Sequence, residues 1–288
     1  MNKKPRHRVA TDQPLQPGGQ AVLEGNAAHY LSHVLRLGEG DGVVLFNRQD
    51  GEWLAHIAQI QKKRLVLALR AQTRTHQPGP DFWVCFAPIK GGRLETIIEK
   101  ATELGASLLQ PVLTQRSIVD KVNTERAQSI AREAAEQCER IDWPEIREPL
   151  KLEKLLGSWP KDRLLVYGDE TGAGISVTQL ERVQCVGVSQ AASESETRGS
   201  AAIAAKGGAL VPPSSAEGVT KSWAILAGPE GGFTPEELAM LRHAKFATGV
   251  SLGPRILRAD TAIITLSALT LAAWGDWHQP PRFEGTDA

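Results

Sequence analysis

Ser222-Trp223-Ala224-Ile225-Leu226-Ala227-Gly228-Pro229-Glu230-Gly231-Gly232-Phe233-Thr234-Pro235-Glu236-Glu237 decides how this chain is read. Residues 222–227 are a short apolar run that stops at glycine, the pattern of a buried strand. A helix follows at once: Thr234 suits the N-cap, Pro235 the first helical position, and Glu237 completes a capping box. Strand, glycine turn and capped helix in succession predict a parallel sheet covered by helices. The turn then lies at the C-terminal end of a strand, where such sheets bind ligands. Its glycines allow close backbone approach, and its free amides can donate to a ligand. No Gly-Lys-Ser/Thr follows, and the spacing is not G-x-G-x-x-G, so neither common phosphate fingerprint is present. On these residues alone a ligand cradle and a purely structural turn are equally open.

The same alternation extends upstream. Phe82–Phe86, Leu108–Leu113 and residues 164–167 read as short apolar strands, and residues 93–104 and 124–141 as helices. In the first helix Leu94, Ile97, Ile98, Ala101 and Leu104 share one face, and Gly105 is its stop. Before residue 75 the rhythm is different, with short strands at 21–23, 42–46, 52–60 and 64–69. One helix at 27–37, with Leu31, Val34 and Leu35 at helical spacing, completes a small β-barrel. Thr75-His76-Gln77-Pro78-Gly79-Pro80 is a breaker cluster that divides residues 1–75 from 76–288. Residues 189–220 are mostly Ser, Ala, Gly, Glu and Pro, too poor in large apolar side chains to offset their ordering entropy. They read as a flexible surface insertion.

The chain has 288 residues, 41% apolar and 23% charged, enough for a real core and incompatible with wholesale disorder or a stapled mini-domain. Thirty-three basic residues balance 33 acidic ones, but residues 1–80 hold eleven Lys and Arg against six Asp and Glu. A local excess of this kind suits nucleic acid, with Arg36, Lys62, Lys63 and Arg64 as phosphate contacts. Cys85, Cys138 and Cys185 stand far apart, so no zinc site or disulfide framework is written, and a reducing cytoplasm is the simplest home. The N-terminus lacks the apolar core of a secretory signal. The longest apolar stretch, 261–274, is too short to span a bilayer and reads as a buried helix.

Three further stretches carry polar chemistry. Val250-Ser251-Leu252-Gly253-Pro254-Arg255-Ile256-Leu257-Arg258-Ala259-Asp260-Thr261 places two arginines beside a helix start, which Asp260 or Thr261 would cap. Lys90-Gly91-Gly92-Arg93 opens the helix at 93–104, where Lys90 and Arg93 could meet phosphate. Gln137 and Arg140 lie on one helical face, as site residues or as a solvated surface.

With His29-Tyr30-Leu31-Ser32-His33-Val34-Leu35-Arg36 added, the set resembles the RsmE family, the 16S ribosomal RNA (uracil-N3)-methyltransferases of the SPOUT superfamily. Gly-Pro-Glu-Gly-Gly-Phe followed by Leu-Gly-Pro-Arg-Ile-Leu-Arg carries the resemblance most specifically, and it spans residues 20–275 apart from the insertion. It implies an α/β domain with a deep trefoil knot, behind a PUA-like N-terminal β-barrel. It implies S-adenosylmethionine as methyl donor, a homodimer, and 16S rRNA in the small ribosomal subunit as partner, with no metal and no membrane. Backbone around Leu226, Gly228, Pro229, Glu230, Gly231 and Gly232 would hold the donor. So would Leu252, Gly253, Ile256, Leu257 and Thr261. Arg258 would be the catalytic side chain, stabilising charge on the uracil oxygens. Glu230 and Asp260 are candidate bases for the N3 proton, but a carboxylate in its ordinary range is weak for that task and neither is assigned. The family usually has Glu where this chain has Asp260, and a shorter connection where it has 189–220. Methylation of another base or of a ribose hydroxyl, or RNA binding without catalysis, are the alternatives. Retention of both the glycine turn and Arg258 argues against the last.

Overall fold

The computed structural model describes residues 7–183 and 222–279, so the insertion expected at 189–220 lies outside the described residues. The N-terminal unit holds β1 (Arg8–Ala10), β2 (Gln20–Glu24), α1 (Gly25–His29), β3 (Gly42–Asn47), β4 (Gly51–Gln61) and β5 (Arg64–Arg74). Its sheet runs in the order β1-β3-β4-β5-β2, antiparallel except for β1 beside β3. Three residues are too few for a period to show, which is why β1 escapes the sequence reading. The β4–β5 hairpin shifts register at three places and bends over a core of Val43, Leu45, Trp53, Ile57, Leu65 and Leu67.

The helix expected at 27–37 is shorter and less regular. α1 ends at His29 and the chain continues as a π-helical turn, Tyr30–Val34. The wider turn rotates the face, so Leu31 stays buried while Val34, expected to pack, is exposed. Arg36 then takes a positive φ of 55°.

The second unit begins with β6 (Phe82–Phe86), α2 (Gly92–Glu103), β7 (Leu108–Leu113) and α3 (Thr124–Gln137). Next come β8 (Glu145–Ile146), β9 (Leu150–Lys151), α4 (Leu152–Gly157), β10 (Leu164–Gly168) and β11 (Ile175–Ser176). From residue 223 come β12 (Trp223–Ala227), α5 (Pro235–His243), β13 (Ala247–Ser251) and α6 (Ala259–Trp274). Every pairing is parallel, in the order β11-β13-β10-β12-β6-β7-β8, with β9 also on β7. Alternation along the strands sorts the core. Val84, Val166, Ile225 and Ile263 pack on the side of α2 and α6, while Cys85, Leu165, Leu226 and Leu238 pack on the side of α4 and α5.

α3 stops at Gln137, short of the expected 141, because Glu139 turns left-handed at φ 58°. The freed carbonyls find arginines. Arg8 donates to Ala135 O, Glu136 O and Arg140 O at 2.9–3.1 Å, while Arg140 donates to Thr102 O and Ala106 O at the end of α2. Arg140 is therefore a strut rather than a site residue, and Gln137 is exposed. Arg8 also pairs with Glu52 at 3.1 Å and lies over the Phe46 ring, fastening the N-terminal sheet to α3. No helix among the described residues is long and apolar enough to cross a membrane.

Candidate active site

Three loops meet beyond the C-terminal ends of β10, β12 and β13 and enclose a cavity of about 340 Å³. The first is the glycine turn after β12. The capping box is present: Glu237 accepts from Thr234 N at 2.9 Å, and Thr234 accepts from Glu237 N at 3.3 Å. Glu237 also accepts from Gln115 N at 2.7 Å, tying the helix start to the loop after β7. Arg116 in that loop donates to Gly231 O at 2.6 Å and to Phe233 O at 3.3 Å. The turn's only left-handed residue is Gly232, with φ 68°.

The second loop is Leu252–Leu257, entered by way of Gly253 at φ 96°. The third, Gly168–Gly172, leaves β10. Its Asp169 side chain is buried, accepting from Arg242 at 3.0 Å and from Thr171 N at 3.0 Å. Burial alone would raise the Asp169 carboxyl, but the bonds from Thr171 and Arg242 outweigh it and hold it below the ordinary carboxylate range. The neighbouring Glu170 accepts from Phe233 N at 3.3 Å, so the first and third loops are joined directly.

Gly228, Pro229, Glu230, Gly232, Leu252, Gly253, Ile256 and Leu257 all line the cavity. Leu226 does not; its side chain points to the α5 face and packs with Phe233 and Leu238. Gly231 is turned toward Arg116, and Thr261 is exposed within the first turn of α6; neither lines the space. Arg258, not Asp260 or Thr261, is the N-cap of α6, without a side-chain capping bond; its side chain is exposed and is not part of the lining, whereas Arg255 is. Asp260 instead accepts from the amide of its neighbour Thr261 at 3.0 Å. Arg93, at the start of α2, pairs with Glu230 at 3.7 Å, while Lys90 is exposed just before that helix. Lys62, Lys63 and Arg64 are exposed together at the β4–β5 turn, and Arg36 is exposed beyond the π turn.

Sequence reasoning reads residues 164–167 as a strand running into a glycine-bearing turn but gives that turn no part in the site, and it misses Arg116 and Arg242. A glycine pair flanking Asp-Glu-Thr after an apolar strand was the only local signal. The walls combine apolar Ala227, Leu252, Leu257 and Ala262 with backbone groups, the acidic residues Asp169, Glu170 and Glu230, and Arg255. Such a lining suits a mid-sized organic ligand with an apolar body and a cationic or hydrogen-bonding end. Among the described residues there is no cluster of His, Cys, Asp and Glu to hold a metal.

Comparison with known proteins agrees with this layout. Residues 23–69 match the family model of an RNA methyltransferase PUA domain, and residues 76–193 and 181–271 that of an RNA methyltransferase domain. The chain is 32% identical over 240 residues to ribosomal RNA small subunit methyltransferase E of Rickettsia conorii, covering 83% of this chain and 84% of that protein. To the protein of the same name from Synechocystis sp. it is 33% identical over 256 residues, 88% and 73% of the two chains. Among solved structures it resembles a methyltransferase of Legionella pneumophila in complex with bound cofactor SAM. That likeness has a TM-score of 0.72 and 26% identity over 93% of this chain and 98% of that one.

Proposed function

Because this chain belongs to the family of RNA methyltransferases that includes ribosomal RNA small subunit methyltransferase E, we propose that it transfers a methyl group from S-adenosylmethionine to 16S rRNA of the small ribosomal subunit. The observation that carries the proposal is the cavity at the strand ends, built from glycine turns and apolar loop residues and fastened on three sides. S-adenosylmethionine supplies a methyl already activated on a sulfonium, so the protein's task is mostly to hold reacting groups in line. The residues present fit that ligand. Glu170 and Glu230 offer negative charge toward a cation, Leu252 and Leu257 an apolar wall, and the loop backbone donors and acceptors.

The acceptor in this reading is N3 of a uridine. Loss of its proton puts negative charge on the ring oxygens, and Arg258, next in sequence to the lining residues Leu257 and Ala259 and with no side-chain partner among the described residues, is the side chain to meet that charge. Arg93 and Lys90 at the opening of α2, with Arg36, Lys62, Lys63 and Arg64 on the N-terminal unit, are the phosphate contacts.

The finer architecture follows the same reading. β13 lies between β10 and β11, though only residues 169–174 join those two strands, which supports the deep trefoil knot of the SPOUT superfamily. The bent β4–β5 hairpin supports closure of the N-terminal sheet as a PUA-like barrel. Ile256, 94% exposed on the rim of the cavity, supports a homodimer in which a second copy covers the site. The cytoplasm is where ribosomal subunits would be met. Small subunits incubated with methyl-labelled donor and digested to nucleosides should yield labelled 3-methyluridine by mass spectrometry. Label on another base or on a ribose would refute the N3 assignment, and no transfer would refute the activity.

A further inference from the structure

A second concavity, of about 290 Å³, lies in the N-terminal unit between the α1–π turn and the β4–β5 turn. His29, Ser32 and His33 face it from one side, and Lys62, Lys63 and Arg64 from the other, with no acidic residue in its lining. Among the described residues most arginines of the second unit are ion-paired, as are Arg8, Arg48 and Arg74 of the first. Lys62, Lys63 and Arg64 make no ion pair with any described residue. Glu24, opposite Arg64 in register on β2, does not reach it. Three like charges left together without a counter-ion repel one another unless an anion joins them.

The histidine side is ordered in advance. The two imidazoles stack with centroids 4.7 Å apart and planes within 6°. Ser32 Oγ donates to Ala28 O at 2.7 Å and contacts His33 Nδ1 at 2.8 Å. The hydroxyl has one proton and the carbonyl takes it, so the ring's Nδ1–H is the donor to Ser32. The Nε2 atom of His33 is left without an intramolecular partner among the described residues. The π turn that spaces these rings is a distortion the helix would otherwise avoid, and such turns concentrate at functional sites.

We propose that this concavity is a discrete binding site for a backbone phosphate of the RNA substrate, held between His29 and His33 on one side and Lys62, Lys63 and Arg64 on the other. The proposal rests on the RNA substrate assigned above and adds the histidine wall, which makes one joint site out of what would otherwise be separate surface charges. It is far from the methyl-transfer cavity in the chain and needs none of its residues.

The test is a double-mutant cycle in the full-length protein, with His29→Ala/His33→Ala crossed against Lys62→Gln/Lys63→Gln. Affinity for unmethylated small subunits and for protein-free 16S rRNA is measured across a salt series, with donor affinity and melting temperature as controls. Each pair should weaken both RNA targets by about tenfold, leave donor affinity unchanged, and combine less than additively. The lysine pair should also flatten the log–log salt dependence by about 0.7 for each phosphate that is no longer neutralised. Additive losses would overturn the joint site, because the two walls would then be acting separately. Loss with small subunits but not with protein-free rRNA would overturn it in favour of a ribosomal protein partner. Wild-type affinity in the histidine pair would overturn it outright, while a wild-type enzyme that transfers no methyl at all would instead bring down the functional reading.

Discussion

Replacing Gly232 by alanine should damage the donor cavity, and replacing its neighbour Gly231 should not. Gly232 sits at φ 68°, where a side chain other than glycine is strained by about 1–2 kcal/mol. A Cβ there would press directly on Glu170 Oε1, whereas at Gly231 the nearest atom would be Arg116 Cδ at an ordinary 3.4 Å. Glu170 must then move and give up its bond to Phe233 N, a further loss of about 1 kcal/mol. The sum, about 2–3 kcal/mol, corresponds to a drop in melting temperature of about 4–12 °C in a chain of this size. Because Glu170 and Gly232 both line the cavity, donor affinity should fall with it. Gly231→Ala should lie within about 0.5 kcal/mol of wild type, as at other permissive surface positions. Thermal unfolding and calorimetry with S-adenosylhomocysteine provide the measurements. Wild-type melting and affinity in Gly232→Ala, or an equal loss in Gly231→Ala, would refute the reasoning.

Arg258→Ala should slow single-turnover methylation of small subunits by about 10²–10³-fold and leave donor affinity intact, with Arg258→Lys recovering only part. A wild-type rate would remove Arg258 from catalysis, and lost donor binding would make it part of the pocket wall. Arg116→Ala, which unpins Gly231 O and Phe233 O, should weaken donor binding while the rate at saturating donor is kept; an unchanged Kd would show that the turn holds itself. Arg8→Ala removes a buried partner of Glu52, two carbonyl contacts to α3 and one to Arg140 beyond it, and should cost about 3–5 kcal/mol in urea unfolding; a change below about 1 kcal/mol would refute the clamp. Burial pushes the Glu52 carboxyl up, but bonds from Arg74 and Thr73 and the charges of Arg74 and Arg8 hold it below its reference value of 4.5. Its stabilisation is therefore complete above that value and is lost as pH falls through the lowered one. Glu52→Gln should be less stable at pH 7 and lose less on acidification, and parallel acid curves for the two proteins would contradict this.

What was legible in the sequence was local. Thr234, Pro235 and Glu237 announce their helix because a capping box is made by residues three apart, and the structure builds it with the expected bonds. Phe82–Phe86 and the 222–227 run announce buried strands because apolar continuity is itself the signal of a strand covered on both faces. The π turn was not legible, since Leu31, Val34 and Leu35 satisfy a regular helical period and only the wider turn separates Leu31 from Val34. The start of α6 misled for a related reason. Asp260 and Thr261 are good capping types, but the apolar face of the helix requires Ala259 to pack inside its first turn, which moves the cap back to Arg258.

The Gly168–Gly172 loop shows the limit more sharply. Its place in the site depends on β13 entering the sheet between β10 and β11, about eighty residues after that loop was laid down. No window along the chain contains both partners of that event. The consequence is chemical as well as topological: Asp169 is buried with its charge held by its neighbour Thr171 and by Arg242, which arrives from α5 to meet it. The third wall of the cavity is thus set by an ion pair between residues 73 positions apart, and the glycine turn that could be read locally has its left-handed residue directly against that wall. The legible turn and the illegible loop form one unit, which is why a single Cβ at Gly232 should be felt in both.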